Sequence, residues 1–404
     1  MALFRNIGVN HAEDVTGVAE SLVRRITVHL RAMPPISLDL RKIAHLRIGN
    51  VPVPFVKPRI GTTTQRQKER TRMKALVYTK PNEVVYRVEP DPVPGKGQVL
   101  VKVAASGICG SDMHAYQGHD TRRVPPLILG HEVAGTVASG GRKGERVVIN
   151  PLMTCGRCAY CESGRTNLCP TRELIGMRVA GAYSEYVAIS EGNLVPIPGS
   201  FDMVKASLAE PAACSLHTLN RARILSSRPL AELRALVIGG GAIGMLSALL
   251  LTRYGCRHVT VAETNKLRRE TVARWVGCTV HDPLGDPEVP ADSFELVIDA
   301  VGGGVTRSLA SRAVTAGGIV AHIGLMDSKE GLDIRKVTLQ EISLIGIYTY
   351  TREDFRATVA ALAGRMFGDL EWVETRPLAE GAQAFDDLYK GKTPAAKIVL
   401  VPGP

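Results

Sequence analysis

The 404-residue chain predicts an α/β protein of two lobes, one built on a doubly wound parallel sheet and the other β-rich and stapled by a metal ion. Three observations predict it. From Arg234 a short apolar strand, a G-G-G-A-I-G turn and an apolar helix follow one another, the order in which a doubly wound domain opens. From Met73 the chain reads as alternating or apolar strands broken by Pro and Gly. Between the two, Cys155, Cys158, Cys161 and Cys169 are close enough in sequence to converge on one ion.

The length implies at least two domains with room for large cores. Hydrophobic residues make up 45% of the chain and the mean hydropathy is +0.04. No apolar run reaches the ~18 residues needed to span a bilayer, so a soluble cytoplasmic protein with no membrane partner is expected. Forty glycines exceed the usual share of about 7% and imply many tight turns. The net charge of +11 is unevenly placed. Residues 1–72 hold thirteen Lys/Arg against five Asp/Glu, or +8, which leaves +3 for the rest. A basic surface tracking phosphates along the main domains is not expected, which argues against a nucleic-acid partner.

Residues 1–72 read as a basic, flexible N-terminal extension. They contain an amphipathic segment near Val18 to Leu30 and a Pro- and Arg-rich linker ending Q-R-Q-K-E-R-T-R. A targeting presequence fits poorly with Glu13, Asp14, Glu20 and Asp39. A basic arm for a partner competes with the plainer readings, an extension without its own core or a start assigned too early.

Strands are expected at Lys74–Tyr78, Glu83–Val88 and Gln98–Ala105. Next come G-I-C-G-S-D-M-H, Gly107 to His114, and L-G-H-E-V-A-G, Leu129 to Gly135, each read as a loop beside a strand. They offer Cys109, His131 and Glu132. A lone cysteine is usually a small buried hydrophobe. Together, though, thiolate, imidazole and carboxylate form a set that suits zinc and leaves one position open.

The four clustered cysteines admit three readings. Disulfides are disfavoured because no secretory signal is evident and Cys109, Cys214, Cys256 and Cys278 are scattered. An iron–sulfur cluster is suggested by Pro170 after Cys169, but the last gap is seven residues where a ferredoxin has three. A closed structural zinc site in a lobe over residues 151–171 fits best.

In the cofactor half, Gly239, Gly241 and Gly244 stand in G-x-G-x-x-G register, with Ala242 and Ile243 opening a helix that ends at Gly255. The glycines allow a tight turn and close approach of a pyrophosphate to the helix N-terminus. The strand H-V-T-V-A ends at Glu263, where a carboxylate would accept the ribose hydroxyls and repel a 2′-phosphate. Arg268 and Arg269 soften that preference, so NAD is favoured over NADP. A helix through Ala273, a strand to Asp299 and another from Gly317 to Gly324 continue the α/β alternation. After Ile342–Tyr348 the chain is expected to return to the first lobe with a helix from Thr351, a helix around Gln383–Tyr389 and a last strand A-K-I-V-L-V.

In this order C-G-S-D-x-H, G-H-E-x-x-G, the cysteine run and G-G-G-A-I-G resemble the zinc-containing medium-chain alcohol dehydrogenases. Within them the chain is most similar to the polyol branch of sorbitol, galactitol-phosphate, idonate and threonine dehydrogenases. The resemblance runs from Met73 to the C-terminus. It implies a GroES-like catalytic domain over 73–214 and 349–404 and a Rossmann domain over 215–348. It also implies two zinc ions per chain, one catalytic and one structural, and a homodimer or homotetramer formed through the cofactor domain. The reaction implied is hydride transfer between a secondary alcohol of a polyol or sugar-derived substrate and NAD(P), with a metal polarising the alcohol oxygen.

By the same resemblance the catalytic zinc is held by Cys109, His131 and Glu132. Glu210, in L-A-E-P-A-A-C-S-L-H, completes the shell or hydrogen-bonds the bound water; otherwise it is a carboxylate satisfied at a helix start. Ser111 takes the proton from the alcohol and His114 passes it on, unless His114 is a surface histidine. Gly239, Gly241, Ala242, Ile243, Gly244, Glu263 and Arg268 bind the cofactor. Two departures stand out. The turn S-G-G-R-K-G-E-R-V is shorter than the family's, and Thr349-Tyr350 replaces the Arg-Tyr pair of sorbitol dehydrogenases, which counts against sorbitol. A metal-free quinone or enone reductase would not need Cys109, His131 and Glu132. A zinc-stapled nucleic-acid-binding regulator would not need the glycine turn or Glu263.

Overall fold

Two large sheets carry the chain in a computed structural model that describes residues 72–403 and the short strands Arg47–Ile48 and Val51–Pro52, which pair antiparallel. The amphipathic segment Val18 to Leu30 lies outside the described residues, as does the linker after it apart from those two strands and Arg72.

The first large sheet has six parallel strands in the spatial order Thr279–His281, His258–Ala262, Arg234–Ile238, Phe294–Asp299, Val314–His322 and Ser343–Gly346. Its central segments A-L-V-I, V-T-V-A and L-V-I-D are almost wholly apolar, as strands covered on both faces must be. Met245, Leu246, Leu249 and Leu250 of the helix Ala242–Arg253 share a core with Val237, Val261, Leu296 and Ile319. Truncating any one of these leucines to alanine costs about 2–5 kcal/mol. The strand order reverses between Arg234–Ile238 and Phe294–Asp299, and a ligand crevice opens beyond the carboxyl ends of strands at such a point.

The second sheet joins distant parts of the sequence. Its order is Leu194–Pro196, Arg146–Ile149, Glu132–Val137, Gln98–Gly107, Lys397–Val401 and Val373–Pro377, with Tyr186–Ser190 also pairing to Gln98–Gly107. Val101, Val103, Val133, Val147, Ile149 and Ile189 form its core. A three-stranded sheet, Glu83–Pro90, Arg72–Lys80 and Leu127–Ile128, packs nearby through Leu76, Tyr78, Tyr183 and Phe385.

One expectation is corrected. The G-I-C-G-S-D-M-H stretch is not a loop throughout, because Gly110–Tyr116 is helical. The Cys109 sulfur replaces the usual oxygen at the N-cap and Asp112 three residues on closes a capping box, so the signal was present with an unusual cap atom. The expected boundary between residues 214 and 215 falls inside one helix, Ala209–Leu225. Pro211 sits in its first turn, where a proline is tolerated, and the small residues after it let the helix pack tightly without a break. The helices Arg352–Ala363 and Gly381–Tyr389 and the strand Lys397–Val401 lie where the sequence puts them. Among the described residues no helix is long and apolar enough to cross a membrane.

Candidate active site and metal centres

Two adjacent strands bring the first ligand set together. The strand Gln98–Gly107 delivers Cys109 just beyond its end, and Glu132 begins the neighbouring strand with His131 directly before it. Gly107 lies opposite Glu132 in the ladder, and a Cβ there would sit 2.0 Å from Glu132 Oε2. Glycine is therefore what admits the carboxylate. One ligand atom from each of Cys109, His131 and Glu132 lies within 4.8 Å of the others, with His131 and Glu132 buried.

Electrostatics supports a cation here. Burial pulls His131 down, but the charges of Asp112 and Cys109 outweigh it and push it well above its ordinary value. Asp112 Oδ1 lies 3.5 Å from His131 Nδ1, the carboxylate–imidazole contact that orients a metal-binding histidine. Glu132 Oε1 accepts from Lys397 Nζ at 2.6 Å, whereas Glu132 Oε2 is buried with no hydrogen-bond partner among the described residues. A sulfur, a nitrogen and a spare carboxylate oxygen in a dry site fit zinc with one position open.

Glu210 is outside that converging set. It is buried in the first turn of Ala209–Leu225, and its Oε1 accepts from the Tyr350 hydroxyl at 3.0 Å. Burial raises its pKa to about 7, opposed by His131 and reinforced by Glu132. The Ser111 hydroxyl donates to Cys109 Sγ at 3.4 Å and accepts from Arg123 Nη2 at 3.1 Å, so its partners do not include His114. His114 lies one turn on in the same helix, held below its ordinary pKa by burial and by His119.

The second set is the cysteine lobe. Cys158 Sγ lies 3.5 Å from Cys161 Sγ, Cys169 Sγ 3.6 Å from Cys155 Sγ, and Cys155 Sγ 4.0 Å from Cys161 Sγ. A tetrahedron with Zn–S bonds of about 2.3 Å has edges of about 3.8 Å, whereas a disulfide needs about 2 Å. The Cys155 backbone N–H donates to Cys169 Sγ and lowers that thiol to about 6, which favours the metal-binding thiolate.

At the glycine turn, Gly239 has φ +100 and Gly241 caps the helix Ala242–Arg253. A Cβ on Gly244 would lie 1.8 Å from the Gly239 carbonyl oxygen, so only glycine lets the helix meet the turn. Glu263 accepts from the backbone N–H groups of Gly240 and Asn265, both at 2.7 Å. The Arg269 guanidinium is committed to the Glu263 and Thr264 carbonyls and to Asp282, whereas Arg268 Nε has no partner among the described residues. Of the two arginines, Arg268 is thus the less committed to protein partners.

Several residues at these sites escape a reading of the sequence. Asp112 lies within C-G-S-D-x-H, and its capping-box spacing from Cys109 is the available signal. Arg123 and Lys397 are fully buried cations, and a lysine inside the apolar run A-K-I-V-L-V was a signal of a hidden partner.

Residues 95–199 match the alcohol dehydrogenase GroES-like domain, and residues 242–364 the zinc-binding dehydrogenase domain. L-galactonate-5-dehydrogenase of Escherichia coli (strain K12) is 30% identical over 78% of this chain and 94% of its own length. L-threonine 3-dehydrogenase of Anaeromyxobacter sp. (strain K) is 31% identical over 81% of this chain and 98% of its own. The crystal structure of L-idonate 5-dehydrogenase from Escherichia coli str. K-12 substr. MG1655 superposes with a TM-score of 0.72 at 25% identity, covering 82% of this chain and 98% of that one. Ligand set, cysteine lobe, glycine turn and relatives agree: the chain belongs to the zinc-binding medium-chain alcohol dehydrogenases, on their polyol branch, and is an NAD(P)-dependent oxidoreductase of secondary alcohols.

Proposed function

We propose that the enzyme interconverts a secondary alcohol and its ketone on a polyol or sugar-derived acid, with NAD as hydride acceptor. One observation carries the reading. The helix Ala209–Leu225 holds Glu210 beside the ligand set, and five residues on the Ser215 hydroxyl donates to the Ile243 carbonyl, at the start of the cofactor helix, at 3.1 Å. Five residues of helix rise about 7.5 Å, so the two half-sites share one rigid element.

Cys109, His131 and Glu132 would hold the catalytic zinc, and the four lobe cysteines a second, structural one. When bound, the catalytic ion supplies a Lewis acid for the alcohol oxygen. The carbinol C–H leaves as hydride to nicotinamide C4 and the hydroxyl proton leaves separately, giving ketone, NADH and a proton. Arg123 fixes the Ser111 oxygen next to Cys109, ready to accept that proton, and His114, one turn on and held below its ordinary pKa by burial, receives it in turn. Glu210, fixed by Tyr350, faces the ligand set as a hydrogen-bonding carboxylate rather than a ligand. Gly239, Gly241, Ala242, Ile243 and Gly244 cradle the pyrophosphate, Glu263 receives the ribose hydroxyls, and Arg268 flanks them. Catalytic residues come from 73–214 and 349–404, cofactor residues from 215–348.

The relatives named for galactonate, threonine and idonate act on small polar hydroxy acids by their names, which supports that substrate class. Closely set, unbridged thiols support a reducing, cytoplasmic setting. The test is NADH formation across alditols, aldonates and L-threonine, with metal analysis. Two zinc ions per chain and turnover abolished by a chelator are expected; turnover indifferent to zinc removal would overturn the reading.

A further inference from the structure

The segment Tyr348–Arg352 links the strand Ser343–Gly346 of the cofactor sheet to the helix Arg352–Ala363. It is pinned from an unexpected side. Asn167, a buried residue of the cysteine lobe, donates its side-chain amide to the Tyr348 carbonyl at 2.8 Å. The Arg172 guanidinium, whose Nη1 donates to the Cys169 carbonyl, lies over the Tyr348 ring at 4.6 Å. The Thr166 hydroxyl accepts from the Arg352 backbone N–H at 3.2 Å.

Between these anchors Thr349 holds φ +48, a left-handed conformation that a β-branched residue rarely adopts, and its hydroxyl is buried without a partner among the described residues. The next residue is Tyr350, whose hydroxyl reaches Glu210. A strained turn persists only when its surroundings over-determine it. Here the surroundings are the lobe on one side and, on the other, Asp354, which caps the helix at Thr351 and is itself bound by His217 and Asn220.

We propose that Asn167, Arg172 and Thr166 are positioning residues for the reaction: by holding Tyr348 and Arg352 they force Thr349 into its left-handed turn and so deliver the Tyr350 hydroxyl to Glu210. The cysteine lobe then sets the geometry of the alcohol site, beyond stapling its own fold. This rests on the dehydrogenase reading for its effect on turnover, but not for its effect on the strap itself.

The experiment uses the zinc-loaded full chain with Asn167→Ala, Arg172→Met, Thr349→Gly and the Asn167→Ala/Thr349→Gly pair. Metal analysis of each variant checks that the lobe keeps its zinc. Asn167→Ala is expected to speed amide exchange over residues 348–351 by tenfold or more and to alter the visible spectrum of cobalt placed in the Cys109–His131–Glu132 site. It should also lower kcat/KM about tenfold. Glycine adopts the left-handed turn unaided, so Thr349→Gly should restore much of what Asn167→Ala loses. Equal losses with and without Thr349→Gly, or unchanged exchange and cobalt spectrum, overturn the proposal. A wild-type protein that oxidises no alcohol would sink the dehydrogenase reading alone, since exchange and spectrum still decide the strap.

Discussion

Glu132 serves two partners, giving one oxygen to Lys397 and keeping the other for the ligand cluster. Burial tends to discharge Lys397, but Glu132 and Cys109 outweigh it and keep the ammonium charged. Removing one member of a fully buried pair leaves an uncompensated charge and costs about 3–5 kcal/mol. Lys397→Met should lower stability by that amount in denaturant titration of metal-free protein, and a change below about 0.5 kcal/mol would show that the pair is not needed. Asp354 gives a pH signature instead. Burial raises its pKa, but hydrogen bonds from His217, Thr351 and Asn220 prevail and lower it from 3.8 to about 2. A value lower in the folded state than in the unfolded one stabilises the fold above about pH 4, and that contribution is lost as the pH falls toward about 2. Asp354→Asn should therefore flatten the acid slope of the denaturant midpoint between those limits; parallel slopes for the two proteins would refute it. The convergence of Cys109, His131 and Glu132, and of the four lobe cysteines, was legible because they stand in short, dense motifs. Lys397 and Arg123 were not, since a cation's burial depends on partners such as Glu132, 265 residues away, and Gly176, 53 residues away.

Among elements, the glycine turn shows how far a local pattern reaches. Strand, turn and helix could be placed from apolar periodicity and three glycines, and the contact that makes Gly244 obligatory is itself local. Gly244→Ala puts a methyl group against the Gly239 carbonyl, and overpacking of that kind costs about 1–3 kcal/mol. NADH affinity, followed by fluorescence titration, should fall at least about tenfold, which corresponds to about 1.4 kcal/mol. Unaltered affinity would mean that the helix can retreat freely. The helix Ala209–Leu225 shows the opposite limit. Its residues carry no boundary signal, because the same buried helix packs against both halves, and only tertiary contacts reveal that it joins them. Thr349 was equally hidden: nothing in a threonine announces a left-handed turn, which the lobe imposes from 182 residues earlier, at Asn167.

For the molecule as a whole, the cofactor sheet ends on Ser343–Gly346, a strand paired on one side only among the described residues. Leu344 on it and Leu325, Met326, Ile334 and Leu339 in the segment that leads into it are large apolar side chains left exposed. An open edge with exposed apolar side chains invites a second copy, and we propose a homodimer or homotetramer formed through this sheet. Light scattering should give a mass at least twice 43.4 kDa, and Leu344→Lys should shift it toward the monomer. A wild-type monomer at micromolar concentration would remove the idea. The two-lobe architecture and the return of the chain to the first lobe followed from the order of motifs and the family resemblance, whereas the partner of the last strand in the second sheet rests on pairings across some three hundred residues, such as Leu400 with Ser106.

That return has a temporal side. The carboxylate of Glu132 is synthesised 265 residues before the ammonium that neutralises it. At 5–20 residues per second the ribosome takes roughly 13–50 s to make up the difference. A nascent chain thus passes through an interval in which this acid has no counter-ion, and any product cut short before Lys397 stays in that state.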